Sequence, residues 1–159
     1  MIPSLDTRPS TLAPRPPGRL DGWEARLNHV VEAARREPYE LGHHDCFRVA
    51  CAVIEALTGI DRWPAFSGYR TKREALVRIA QHGSTFETAG DWFFSGPRID
   101  LKHAQRGDIV AVATADGEKH LAVHLGDRVA LMAAAGLQLI PLSGVLVADC
   151  RLLCAWKVG

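Results

Sequence analysis

An excess of charge of one sign is what this sequence lacks most plainly: 19 Lys and Arg stand against 18 Asp and Glu, a formal net charge of +1 over 159 residues. Holding nucleic acid through its phosphates requires a clustered Lys/Arg surface, and no such cluster occurs, so no nucleic-acid partner is expected. Cysteine is sparse as well. Four residues, Cys46, Cys51, Cys150 and Cys154, are too few for a disulfide-stapled scaffold, and in a reducing compartment they stay thiols unless they bind metal or act in catalysis. The start, Met1-Ile2-Pro3-Ser4, offers no basic stretch followed by an apolar one, so no secretory signal is read and folding in a cytoplasm is expected. Long apolar runs are nearly absent. Val129 to Ala148 carries no charge and has about the length of a bilayer span, but Gly136, Pro141 and Gly144 interrupt it and Gln138 and Ser143 are polar. It reads as strand and turn, and no membrane span is expected.

What is present is ordinary globular composition, 47% hydrophobic and 23% charged, in a chain the length of one domain. Residues 1–19 hold Pro3, Pro9, Pro14, Pro16 and Pro17, five of nine prolines, and show no periodicity; they are expected to form an extended or disordered tail, the alternative being an arm that docks on a partner in an assembly. The domain is expected over 20–159. Asp21 and Glu24 have capping-box spacing before the helical stripe Trp23, Leu27, Val30, Val31 and Ala34, which Pro38 ends. A second helix is read from Cys46 to about Leu57, capped by Asp45 and stopped at Thr58-Gly59, and a third from Lys72 to Gln81. Residues 84–104 give no clear pattern. From Gly107 on, short apolar runs (109–113, 121–125, 129–133, 137–142 and 152–158) broken at Asp116-Gly117, Gly126-Asp127 and Gly136 read as a small, mostly antiparallel sheet. Helices first and strands second is an α+β order.

Cys46 is the first candidate for chemistry. At a helix N-terminus its sulfur lies near unpaired N–H groups and the positive end of the helix dipole, which lowers a thiol's pKa, and the same N–H groups can hold an oxyanion. On this ground Cys46 is expected to alkylate before the other three. The competing reading is a small buried hydrophobe. A nucleophilic Cys needs a base, and among seven histidines His120 is the best placed, at the head of the run His120-Leu121-Ala122-Val123-His124. By strand alternation His120, Ala122 and His124 share one face; if that face packs on the helix beginning at Cys46, His120 reaches the sulfur. The spacings Cys46-x₄-Cys51 and Cys150-x₃-Cys154 are not those of a zinc knuckle, and neither a metal nor a cofactor is expected.

Pro38-Tyr39-Glu40-Leu41-Gly42-His43-His44-Asp45-Cys46, Arg106-Gly107-Asp108-Ile109-Val110 and His120 to Gly126 together resemble, in order and spacing, the motifs of NlpC-type cell-wall peptidases. The closer resemblance is to a phage and prophage branch found among tail genes, through the helix ending in Thr-Gly, Gly68-Tyr69-Arg70-Thr71 and Gly126-Asp127-Arg128-Val129. The resemblance implies a papain-like NlpC-type fold, Cys46 as nucleophile, His120 as base, and amide hydrolysis in peptidoglycan peptides during cell-wall penetration. It also implies a place at the phage tail tip after synthesis in the host cytoplasm, with other tail-tip proteins as partners. Tyr39, His44, Asp45 and His124 are assigned to the cleft. Two departures stand against activity: the position of the family's third polar residue, which orients the His, is Met132, and Phe47-Arg48 replaces the usual Ser-Gly after the nucleophile. The alternative is therefore a catalytically inactive structural or assembly component of the tail tip.

Overall fold

In a computed structural model, residues 18–94, 97–144 and 150–159 are described. The order of elements is helices first. α1 (Trp23–Arg36) and α2 (Cys46–Thr58) are followed by α3 (Lys72–Ala80), α4 (Phe86–Phe93) and five strands: β1 (Ile109–Ala113), β2 (Lys119–His124), β3 (Arg128–Ala133), β4 (Gly136–Pro141) and β5 (Arg151–Trp156). The strands form one sheet in the order β4-β3-β2-β1-β5, every neighbouring pair antiparallel. The α+β class expected from the sequence is thus the one observed. The β1–β2, β2–β3 and β3–β4 pairings are hairpins that need only a tight turn, while β5 returns to lie beside β1.

The helix starts differ from expectation at one end and agree at the other. α1 has no capping box: Gly22, with φ of 71°, precedes Trp23, and no side chain caps the helix. The stripe of Leu27, Val31 and Ala34, which is buried, holds the helix in place instead. α2 is capped by Asp45 as its sequence requires and closes at Gly59. The stretch without a clear pattern, 84–104, contains α4, opened by a reciprocal Thr85–Thr88 capping box, and a 3₁₀ turn at Leu101–His103. At eight residues α4 spans too few turns to show a period. Its Gly90 lies against the Trp156 ring, where a Cβ would come within 2.3 Å of the ring edge.

Alternation along the strands divides the core into two layers. On one face Ile109, Ala111, Leu121, Val123, Ala130 and Met132 join the buried residues of α1 and α2. On the other, Val110, Val112, Ala122, Val129 and Leu131 form a second cluster with Ala155, covered by Ile99, Leu101, Ile140 and Leu142. The apolar run from Val129 is strand β3, turn and strand β4, followed by a 3₁₀ turn at Leu142–Gly144; residues 145–149 lie outside the described ones. No helix among the described residues is long and apolar enough to cross a membrane.

The expected arm falls mostly on residues 1–17, outside the described residues. Arg19, placed in that arm, belongs to the fold. Its guanidinium donates to the carbonyls of Val158 at 2.7 Å and Arg106 at 2.6 Å and pairs with Asp108 at 3.0 Å. Asp108, 1% exposed, also accepts from the Val158 and Gln105 N–H groups. One buried carboxylate thus ties the start of the fold, the turn before β1 and the C-terminal strand together.

Candidate functional site

The site begins in the segment between α1 and α2. Glu40 and His44 form an isolated antiparallel bridge, and Gly42 turns the chain between them at φ of 81°. A side chain there would both strain that backbone and place a Cβ 2.1 Å from the Tyr69 carbonyl oxygen. The tight turn delivers Asp45 to the head of α2, where its carboxylate is 2% exposed. It accepts from the N–H of Arg48 at 3.0 Å, from the N–H of Gly42 at 2.9 Å and from the Tyr69 hydroxyl at 2.5 Å. Three donors hold a buried carboxylate that has no cation beside it.

Cys46 follows as the first residue of α2, half-buried and set against the backbone of Leu121 on β2. Burial pushes its thiol from an ordinary value of 9.0 up to about 12, and the Asp45 carboxylate adds to the rise. The N–H groups of Leu121, Phe47 and Cys46 act the other way and are outweighed. The stabilisation expected from the helix terminus is thus present but opposed by a larger desolvation of the charged form. Burial likewise raises Cys51 to about 12 and Cys154 to about 11. Tyr39 is raised by burial, then by Asp45 and Cys46, and Tyr69 by burial and by its hydrogen bond to Asp45. Tyr39, Asp45 and Tyr69 are thus the polar groups gathered around the sulfur.

His120 and His124 lie on β2. His120 opposes Val112 across the β1–β2 ladder, and Val112 belongs to the core layer away from α2. Leu121 and Val123 pack in the layer of α1 and α2, so by alternation the His120 side chain leaves β2 on the other side, while the Leu121 N–H next to it reaches the Cys46 sulfur. Among the described residues no hydrogen bond joins Cys46 to His120; the nearest carboxylate to the His120 ring is Glu118, at 3.7 Å, itself paired with Lys72. Burial lowers the His120 pKa, Asp116 opposes this and Lys72 reinforces it. Met132, 1% exposed, packs in the α1–α2 layer, on the face opposite His120 rather than beside its ring.

The remaining cleft assignments divide in the same way. His44 is buried, but its Nδ1–H donates to the Pro38 carbonyl at 3.2 Å and its Nε2 lies 3.9 Å from Glu37. His124 lies on the His120 face, accepts at Nδ1 from the Gly126 N–H at 3.1 Å, and has its pKa lowered by burial against the opposing pull of Asp108. Tyr69 is the residue whose role sequence reasoning missed. The Gly68-Tyr69-Arg70-Thr71 stretch was legible as a motif, but nothing in the chain shows that it closes over Asp45, 24 residues earlier.

As it stands the arrangement holds a neutral thiol at the head of a helix, flanked by N–H donors and phenols, with no base bonded to it. Among the described residues no three His, Cys, Asp or Glu side chains lie close enough to hold a metal ion. No curated protein matches the chain. Residues 18–158 match the sequence profile of a domain of unknown function, DUF6950. That span begins at the residue before the Arg19 anchor and takes in every helix and strand described above, and the chain belongs to that family.

Proposed function

We propose that this chain is a papain-like domain of the NlpC type that serves as a structural or assembly component of a phage tail tip, its nucleophile position closed rather than catalytic. What supports this reading is the setting of Cys46: a half-buried thiol beside the buried Asp45 carboxylate, raised by burial, with no hydrogen bond to a histidine among the described residues. A thiol so raised is protonated at neutral pH and is a poor nucleophile, and no general base is bonded to it. The papain-like reading draws support from the α+β order and from a helix that opens at Cys46 and packs across β2 and β3.

A second reading, a cysteine amidase cutting peptidoglycan peptides, is favoured by one feature: the N–H groups of Cys46, Phe47 and Leu121 all act on the Cys46 sulfur. Donors in that position suit a tetrahedral oxyanion. The thiolate would attack the amide carbonyl, expel the amine with a proton from a general acid, and leave an acyl-enzyme for water to hydrolyse. That acid–base role requires an imidazole bonded to the sulfur, and among the described residues none is.

Digestion of purified peptidoglycan, with released fragments weighed by mass spectrometry, separates the two readings. The intact protein, Cys46→Ala and His120→Ala are expected to release nothing above the blank. Fragment release by the intact protein that disappears in Cys46→Ala would overturn the assembly reading in favour of the amidase.

A further inference from the structure

The sheet ends in β5 on one side and β4 on the other, and the two edges are treated differently. Ile99 meets the outer edge of β5, exchanging two backbone hydrogen bonds with Ala155 at 2.8 and 3.3 Å. Among the described residues no strand, bridge or backbone hydrogen bond meets the outer edge of β4. Proteins commonly blunt an open edge with charge, a bulge or proline. β4 has none of these along its length: it pairs with β3 in one unbroken register, lies in the uncharged run from Val129 to Ala148, and reaches a proline only at its last residue, Pro141.

The phase of the ladder shows which groups that edge presents. The Leu125 N–H donates to the Arg128 carbonyl at the β2–β3 turn, and the Leu142 N–H donates to the Asp127 carbonyl. Bonded and non-bonded pairs alternate along an antiparallel ladder, so Arg128 and Ala130 bond toward β2 whereas Val129 and Leu131 bond toward β4. Their partners on β4, Ile140 and Gln138, therefore turn N–H and C=O inward. Leu137 and Leu139 turn theirs outward, and Pro141 turns out a carbonyl alone. The Leu137 and Leu139 side chains pack on the α1–α2 layer, Ile140 packs on the other layer, and Gln138 is exposed.

We infer that β4 pairs antiparallel with β4 of a second copy of this chain, about a two-fold axis at Gln138, joining the two five-stranded sheets into one. In that register Leu137 of each copy lies opposite Leu139 of the other, so all the outward N–H and C=O groups of these residues find strand partners and Pro141 falls beyond them. Gln138 lies opposite its own counterpart, and an amide that both donates and accepts is complementary to itself. Ile140 lies opposite Gly136, which has no Cβ and open space around the position of one. A strand without charge meets its copy without like-charge repulsion, whereas it offers an acidic or basic segment no counter-charge. One patch serves both subunits, as a two-fold interface requires. The inference goes beyond the reading of Cys46 and does not depend on it.

Sedimentation velocity of the full chain tests this, with a monomer–dimer equilibrium expected at a dissociation constant on the order of 100 µM, because a strand-edge contact is smaller than a standard interface. Gln138→Lys and Gln138→Glu each set like charges directly opposite and should weaken the dimer at least about tenfold, while mixing the two variants should restore it to within a fewfold of the parent. Circular dichroism checks that both variants are folded, and Cys46→Ala should dimerise as the parent does. Amide exchange in the unaltered chain, followed by NMR, needs no variant: the Leu137 and Leu139 amides should exchange at least about twofold more slowly at about 1 mM than at about 50 µM, and the Gln138 and Ile140 amides, already in the β3–β4 ladder, slowly at both. A chain that stays monomeric up to about 1 mM, a dimer unaffected by either charge, or no gain on mixing would each overturn the inference. So would Leu137 and Leu139 amides that are fully protected in the most dilute sample, since the edge would then be covered within one chain.

Discussion

At Cys46 the head of a helix and the burial of the sulfur pull in opposite directions. Opening a helix lowers a thiol's pKa only when the helix N–H groups are the largest influence on the sulfur, and here burial and the neighbouring Asp45 carboxylate exceed them. With the thiol at about 12 rather than 9.0, the thiolate fraction at pH 7 falls by about 1,000-fold. Iodoacetamide labelling followed by peptide mapping should therefore find Cys46 far slower than a free thiol at pH 7. Its rate should still be climbing above pH 10, where an unperturbed thiol has levelled off. Asp45→Asn removes the like charge and should shift the Cys46 labelling profile toward lower pH. Rapid labelling of Cys46 near neutrality would show that the N–H groups govern the sulfur after all.

At the scale of the element, α2 depends on a cap that does more than cap. Asp45 satisfies the Arg48 N–H at the helix start and also holds the Gly42 turn and the Tyr69 hydroxyl, so a single carboxylate joins three separate pieces of chain. Removing a helix cap alone costs about 1 kcal/mol. Asp45→Ala also strands the buried Tyr69 hydroxyl and the Gly42 N–H, and the total loss should reach about 2–4 kcal/mol by urea denaturation. Asp45→Asn still accepts hydrogen bonds and should lose less. A loss under 1 kcal/mol in Asp45→Ala would mean that Tyr69 and Gly42 find water instead. The cap itself was legible, since Asp immediately before an apolar helical repeat is a strong local signal. The failed cap at Asp21 shows the limit of that signal. Capping spacing is permissive, and α1 is fixed by burial of Leu27, Val31 and Ala34 rather than by its first turn.

Across the whole molecule, ionisable groups buried in one protonation state define the pH range of stability. His120 and His124 have folded-state pKa values below their ordinary 6.5, so the native state binds fewer protons than the unfolded chain. The contribution of these residues is complete above that value and is lost as pH falls from it toward the folded pKa. Cys46, Cys51 and Cys154 have values raised above 9.0, so their contribution is complete below pH 9 and is lost as pH rises toward 11–12. Melting temperature should accordingly be flat between about pH 7 and 9 and fall on both sides. His124→Gln should make the acid limb shallower, and an unchanged limb would exclude that residue as a source. The Arg19–Asp108 pair acts at the same scale, because it joins the start of the fold to the turn before β1 and to β5's far end. Breaking a buried ion pair from one side costs about 3–5 kcal/mol. With two backbone donors still on Asp108 and Arg19 17% exposed, Arg19→Ala should cost about 2–4 kcal/mol by urea denaturation.

By itself the sequence determined α1, α2, α3, the strands and their order, though not α4, because apolar spacing, Asp45 and the turn glycines are local signals that act within a few residues. It also determined that Cys46 opens a helix and that His120 and His124 share a strand face. Only the tertiary structure decided which face of β2 meets α2. Alternation tells one face from the other without saying which is covered, and here both faces are: Leu121 and Val123 by the helices, Ala122 by Ile99, Leu101 and their neighbours. The face of His120, Ala122 and His124 is covered as well, so its polar residues do not mark the outside. The approach of the Leu121 N–H to Cys46 and the closing of Tyr69 over Asp45 both follow from packing between segments distant in the chain, where no residue spacing can register them.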